Sequence, residues 1–207
     1  MNVDIFFFVF LKQNNRKRLK REMKETKLRD YQQECVNIID SLEGGSHLVV
    51  CATALGKTVT FSHIKRKGRV LILSHRDELV HQPEKYYDCS FGVEQAKEHS
   101  NGEEVVSASV QSLIRRLNKF SPDDFDMIIT DEAHHAAAPS YKKIYDYFNP
   151  RIHIGFTATP NRGDNVRLDD VFEDIIYEKD LKWGIKNKYL TDINCLQVDI
   201  GFDLSKV

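Results

Sequence analysis

The sequence predicts an α/β fold built on a mainly parallel central sheet. Three observations lead there. Short apolar, β-rich runs recur along the chain. Segments with helical patterning separate several of them. The residues best suited to chemistry stand directly after these runs. In sheets of this kind, ligands sit outside the carboxyl ends of the strands, in the loops leading to helices.

Leu28–Leu42 reads as a helix, with Leu28, Tyr31, Cys35, Ile38, Ile39 and Leu42 on one face. Gly44-Gly45 ends it. His47–Cys51 (HLVVC) is a buried strand, Gly56–Lys67 a helix, and Arg69–Ser74 (RVLILS) a second strand. Arg76–Tyr87 reads as a helix that has to accommodate Pro83. Val105–Val110, Met127–Thr130 and Ile152–Phe156 are further strands. No internal repeat or low-complexity linker interrupts the pattern. We therefore expect one domain over 28–200, an N-terminal extension over 1–27, and the start of a linker over 201–207.

The 207 residues suffice for a proper core, and a content of 41% hydrophobic and 29% charged residues is that of a globular chain. A net charge of -1 excludes a uniformly basic nucleic-acid binder, so any such contact must be local. Cys35, Cys51, Cys89 and Cys195 are scattered without a paired spacing, which argues against a zinc site or disulfide framework and for a reducing, cytoplasmic setting. The apolar run Ile5–Leu11 is too short to span a bilayer, and its basic tract follows it instead of preceding it, the reverse of a signal peptide. No membrane association is expected. Lys12–Lys27 reads as a solvated, partly helical tail, with a basic arm on phosphate as the alternative.

Directly after HLVVC comes ATALGKT, Ala52–Thr58. A loop of this kind curls successive backbone N–H groups around phosphate oxygens and points the following helix at them. Thr53, Ala54, Leu55 and Gly56 would supply the cradle, Lys57 would reach the β and γ phosphates, and Thr58 would offer its hydroxyl to magnesium. The general phosphate-loop spacing places glycine where Cys51 stands. The implied cofactors are ATP and Mg2+.

Farther on, FDMIITDEAHH brings an apolar strand to Asp131 and Glu132. In a chain with a phosphate loop the two carboxylates divide the work. Asp131 would hold magnesium, through water, and Glu132 would position and deprotonate an attacking water. Adjacent His134 and His135 suit a shared metal poorly.

ATALGKT, DEAH and Thr157-Ala158-Thr159-Pro160 stand in the order and spacing of the superfamily 2 helicases and translocases, which the chain resembles over roughly 28–200. The resemblance implies a three-layer RecA-like P-loop NTPase domain, the first of the two that make a helicase motor. LRDYQQE resembles the adenine-recognition segment, with Gln32 reading the base edge and Arg29 close by. SHRDELVHQ and SASVQSL resemble segments that touch the nucleic-acid backbone, implicating His75, Arg76, Ser109 and Gln111. TATP resembles the segment coupling hydrolysis to movement, with Thr157 and Thr159 in reach of His134. Relatives usually keep glycine at the place of Ala54, where a Cβ restricts the backbone. DEAH, LRDYQ and WGIKNKYLTDI point to the restriction-enzyme and repair-helicase branch, and hence to DNA more than RNA.

No QxxGRxxR-like segment follows Pro160. The expectation is an ATP-binding half that needs a second RecA-like domain, in a partner chain or elsewhere in a larger protein, before it hydrolyses ATP efficiently or moves on nucleic acid. The alternative is a degenerate remnant that binds nucleotide or nucleic acid without catalysis. A phosphate-loop ATPase unrelated to nucleic acid fits SHRDEL and TATP less well.

Overall fold

A computed structural model describes residues 27–159 and 168–192. The expectations for the apolar run and basic tract at the N-terminus, for Pro160, for Cys195 and for 193–207 lie outside them.

The described chain runs α1 (Asp30–Asp40), β1 (Gly45–Cys51), α2 (Lys57–Ser62), β2 (Val70–Ser74), β3 (Phe91–Glu94), β4 (Val105–Ser109), α3 (Val110–Leu113), β5 (Met127–Asp131), α4 (Pro139–Tyr145), β6 (Ile152–Thr157), β7 (Asp174–Lys179) and α5 (Leu181–Lys186). Seven strands form one sheet in the order β3-β4-β2-β5-β6-β1-β7, and every neighbouring pair is parallel.

Parallel strands need covered faces, and the side-chain alternation supplies two. Val70, Ile72, Met127, Ile129 and Ile154 pack on one face with Cys35 and Ile39 of α1 and Phe61 of α2. Leu71, Leu73, Val106, Ala108 and Ile128 pack on the other with Leu113 of α3 and Tyr141 and Ile144 of α4. Helices on both sides of the sheet make the expected three layers.

The structure departs from the sequence reading at several elements. Residues Arg76–Tyr87 form two short 3₁₀ turns, Asp77–Leu79 and Gln82–Tyr86, instead of a helix. Pro83 lacks the N–H that would bond to Leu79, and its ring would strike that carbonyl, so it opens the second turn where neither matters. Helix α2 stops at Ser62 and does not reach Lys67. Ser62 Oγ donates to the Val59 carbonyl at 2.8 Å and the His63 ring approaches the same oxygen at 2.8 Å, while the His63 N–H bonds back to Thr60. Exposed Lys65, Arg66 and Lys67 then offer no apolar face to bury. Helix α1 is bounded by extended Arg29 and by Ser41, whose hydroxyl bonds the Ile38 carbonyl, so it ends before Gly44-Gly45. Gly45 instead opens β1 at φ +101°. The outer strands β3 and β7 were not anticipated.

Beneath the sheet top, His153 of β6 is buried with Nδ1 3.1 Å from Ser46 Oγ and Nε2 2.9 Å from Thr130 Oγ1. Burial drives its pKa down to about 3. Its unfolded counterpart keeps the ordinary value of 6.5, so the folded state is penalised as pH falls below 6.5, and the penalty stops growing near 3. Unfolding free energies measured in urea should include a His153 contribution of up to about 1.4 kcal/mol per pH unit through that window. His153→Gln should flatten the acid limb relative to wild type.

Candidate functional site

The carboxyl ends of β1, β5 and β6 lie side by side, with β6 in the middle. From β1 the chain enters Ala52–Gly56. Ala52 N–H is tied to the Lys179 carbonyl of β7 at 3.0 Å, and Leu55 N–H closes back on the Ala52 carbonyl at 3.2 Å. Ala54 and Gly56 both take left-handed backbone, at φ +69° and +76°. Gly56 is required twice over: a Cβ there would sit 2.6 Å from Gln32 Nε2 as well as suffering the positive φ. Ala54 has its Cβ in that region, at a cost of about 1–2 kcal/mol. Ala54→Gly should therefore raise the melting temperature slightly. Relief of strain exceeds the extra chain entropy of glycine, about 0.5–1 kcal/mol, by a narrow margin.

Lys57 opens α2, and its side chain is 9% exposed. Its ammonium lies 3.5 Å from Glu132 Oε1. Thr58 follows in the first turn, half-buried, whereas Thr53 and Ala54 are exposed at the loop tip.

Asp131 ends β5, buried, with Oδ1 accepting the Glu132 N–H at 3.0 Å. Burial first, and the neighbouring charge of Glu132 second, push its pKa up to about 6, against the pull of Lys57 and that N–H bond. A desolvated carboxylate of this kind is under-compensated and is poised to gain from a cation. Among the described residues no group of three or more His, Cys, Asp or Glu side chains is arranged to hold a metal. Magnesium takes one or two protein ligands and completes its shell with water and phosphate oxygens, and the desolvated carboxylate of Asp131 has the chemistry of such a ligand.

Glu132 adopts left-handed backbone at φ +51° and ψ +50°. Such strain costs about 1–3 kcal/mol and persists where the surroundings over-determine it. Here the surroundings are specific. Glu132 Oε1 faces Lys57, and Oε2 lies 3.3 Å from His134 Nδ1. The same nitrogen is 3.4 Å from Thr157 Oγ1 at the end of β6. Thr159 joins through its backbone: its N–H donates to Thr157 Oγ1 at 3.2 Å, and its carbonyl is 3.2 Å from that hydroxyl. Lys57, Asp131, Glu132, His134 and Thr157 thus form one constellation.

Gln32 and Arg29 sit at the outer end of the loop. Gln32 is buried, with Oε1 accepting the Arg29 N–H at 3.0 Å and Nε2 donating to the carbonyls of Leu55 at 3.1 Å and Gly56 at 3.4 Å. Its amide is engaged with the loop backbone. The Arg29 guanidinium donates to Tyr31 Oη at 3.2 Å and lies 5.7 Å from the Tyr189 ring centroid. Tyr31 escaped the sequence reading as a site residue because its spacing marked it as core.

Of the four residues expected to meet nucleic acid, three share a surface. His75 and Arg76 are exposed beyond β2, and Gln111 Nε2 reaches the His75 carbonyl at 3.4 Å. The His75 ring stacks on His135 at 4.2 Å. Ser109 corrects the expectation: it is 1% exposed, and its hydroxyl caps α3 by accepting the Ser112 N–H. A side chain committed to a buried cap is not offered to a phosphate.

Comparison with known proteins matches residues 25–162 to the ResIII family, described as type III restriction enzyme, res subunit. IRC3 of Saccharomyces cerevisiae, named as an ATP-dependent helicase, is 36% identical over 208 residues, covering 87% of this chain and 30% of the relative. The EcoAI endonuclease subunit of an Escherichia coli type I restriction enzyme is 32% identical over 85% of this chain and 25% of its own length. The chain thus spans a third or less of these curated relatives. Among solved structures, the Pyrococcus furiosus Hef helicase domain shares the fold with a TM-score of 0.61 at 23% identity, over 81% of this chain and 41% of that one. A fragment assigned as the HsdR subunit of a type I restriction enzyme from Vibrio vulnificus YJ016 superposes with a TM-score of 0.58 at 30% identity, over 75% and 30%. With the family match spanning most of the chain, this protein belongs to the ResIII family, and its fold is that of a three-layer RecA-like domain shared with the Hef helicase domain.

Proposed function

We propose that the chain binds Mg2+·ATP over the loop Thr53–Thr58 and acts as the ATP-binding half of a DNA helicase or translocase. The observation that carries this reading is the convergence of Lys57 and the Asp131–Glu132 pair, delivered by separate strand ends to one spot. Lys57 holds the β and γ phosphates. Thr58 and Asp131 hold magnesium, which when bound neutralises phosphate charge. Glu132 orients the attacking water and takes its proton. His134 and Thr157 bridge this site to β6. A second RecA-like domain, in a partner chain or in the remainder of a longer protein, would supply the arginine that such motors place on the γ-phosphate, worth about 10³–10⁵ in rate.

The exposed set His75, Arg76 and Gln111 would touch the nucleic-acid backbone, and the restriction-enzyme relatives favour DNA over RNA. Among the described residues no helix is long and apolar enough to cross a membrane. Free Cys35, Cys51 and Cys89 support a reducing, cytoplasmic setting.

Calorimetric titration with Mg2+·ATP tests the reading. Wild type should bind, and Lys57→Ala should weaken binding at least tenfold, the loss of about 1.4 kcal/mol or more of charge-assisted contact. Equal affinities would remove the basis for a nucleotide site. Duplex and single-stranded DNA and RNA, added to the hydrolysis assay, identify the polymer that stimulates it.

A further inference from the structure

The phosphate loop is gripped from outside. Leu55 is 1% exposed although Thr53 and Ala54 beside it are exposed. Its side chain is buried with Tyr31 and Ala52, beneath Trp183, Tyr189 and Leu190 of the segment Leu181–Leu190. Gly184 makes the close approach feasible: a Cβ there would meet Leu190 Cδ1 at 2.6 Å and Leu55 Cδ2 at 3.4 Å. Tyr31 is packed edge-on by Trp183 at 5.3 Å and by Tyr189 at 4.6 Å, and these two stack on each other at 5.4 Å.

The backbone is held as firmly as the side chain. The Leu55 carbonyl accepts from Tyr31 Oη at 2.8 Å and from Gln32 Nε2 at 3.1 Å, which uses both of its lone pairs. In a trans peptide the N–H points opposite to the carbonyl. Anchoring the Leu55 oxygen against Tyr31 and Gln32 therefore turns the Gly56 N–H the other way. The orientation of that amide is what a phosphate cradle depends on.

We infer that Tyr31, braced by Trp183 and Tyr189, is a positioning residue for the phosphate loop, and that the segment Leu181–Leu190 thereby tunes nucleotide affinity from outside the pocket. This rests on the reading of Ala52–Thr58 as the ATP site. The converse follows by linkage: nucleotide that reshapes the loop must perturb the aromatic brace.

Trp183 is the sole tryptophan of the chain, so its emission reports on the brace directly. Mg2+·ATP should produce a saturable change in that emission with the midpoint found by calorimetry. Tyr31→Phe keeps the ring and removes the hydroxyl, and should raise the Kd about three- to tenfold, the worth of one buried hydrogen bond. Trp183→Phe should bind nearly as wild type, and Trp183→Ala should bind several-fold more weakly. Flat emission alongside calorimetric binding overturns the inference and leaves the ATP site standing. So does a Tyr31→Phe or Trp183→Ala variant with lowered melting temperature and unchanged Kd. If an alanine variant fails to fold, the emission titration on wild type and the calorimetric Kd of Tyr31→Phe still decide. Wild type binding no better than Lys57→Ala overturns the ATP site and the inference together.

Discussion

Glu132→Gln should slow ATP hydrolysis by about 10²–10⁴-fold, the worth of a positioned general base, while ATP affinity stays equal or tightens. Glutamine preserves the length of the side chain and its capacity to accept from His134, so the left-handed turn at Glu132 should survive. What disappears is the basicity at the strand end and the negative charge opposite Lys57. Removing that charge frees the ammonium for phosphate, which is why binding should not suffer. It also removes the second cause of the raised pKa of Asp131 and leaves burial as the main one. Single-turnover hydrolysis and calorimetry on the same preparation separate the two effects. An unchanged rate would assign the base elsewhere, and a large loss of affinity would mean that Glu132 holds the loop more than it serves the chemistry.

The largest effect on stability is expected far from that site, at Arg116→Met. Glu94 ends strand β3 with a side chain only 1% exposed. Burial by itself pushes its carboxyl pKa up, yet Arg116, the Ser100 N–H and His99 outweigh burial and hold it below the ordinary range. Arg116 donates to Glu94 Oε1 at 2.5 Å and also to the carbonyls of Ala96 and Glu98. One guanidinium thus closes the turn after β3, including Ala96 at φ +45°. Methionine keeps the apolar stem and strands the carboxylate with His99 and Ser100 as partners. Removing one member of a buried pair costs about 3–5 kcal/mol, and for a domain of this size that lowers the melting temperature by on the order of 10 °C. A shift below two degrees would show that the remaining partners suffice. Substituting both Arg116 and Glu94 with apolar residues should recover part of the loss, because the uncompensated charge goes with them.

The central strands were legible because they are buried on both faces and read as short, largely apolar, β-rich runs. Strands β3 and β7 carry no such signal. Phe91–Glu94 alternates half-buried and buried positions over four residues, and Asp174–Lys179 buries only Tyr177 fully. Their pairing depends on partners elsewhere in the chain. The loops at the ends of β1 and β5 were equally legible as strand-end segments, since their residue types stand in local order along the chain. The role of Ser109 was not, because a hydroxyl looks the same in sequence whether it faces solvent or caps a buried backbone N–H. Nor was the brace on Leu55, which joins segments at opposite ends of the domain.

The all-parallel order has a consequence for biosynthesis. Strand β1 acquires no sheet neighbour from nearby sequence: it pairs with β6, where Ser46 meets His153 across 107 positions, and with β7, where His47 meets Asp174 across 127. At translation speeds of about 5–20 residues per second, the apolar stretch HLVVC waits roughly 5–20 s after emergence for its first strand partner. During that interval its edges are open to any other extended peptide on the ribosome. Holding chaperones, or slow codons placed after β6 has emerged, should govern the yield of native protein more than the final stability does.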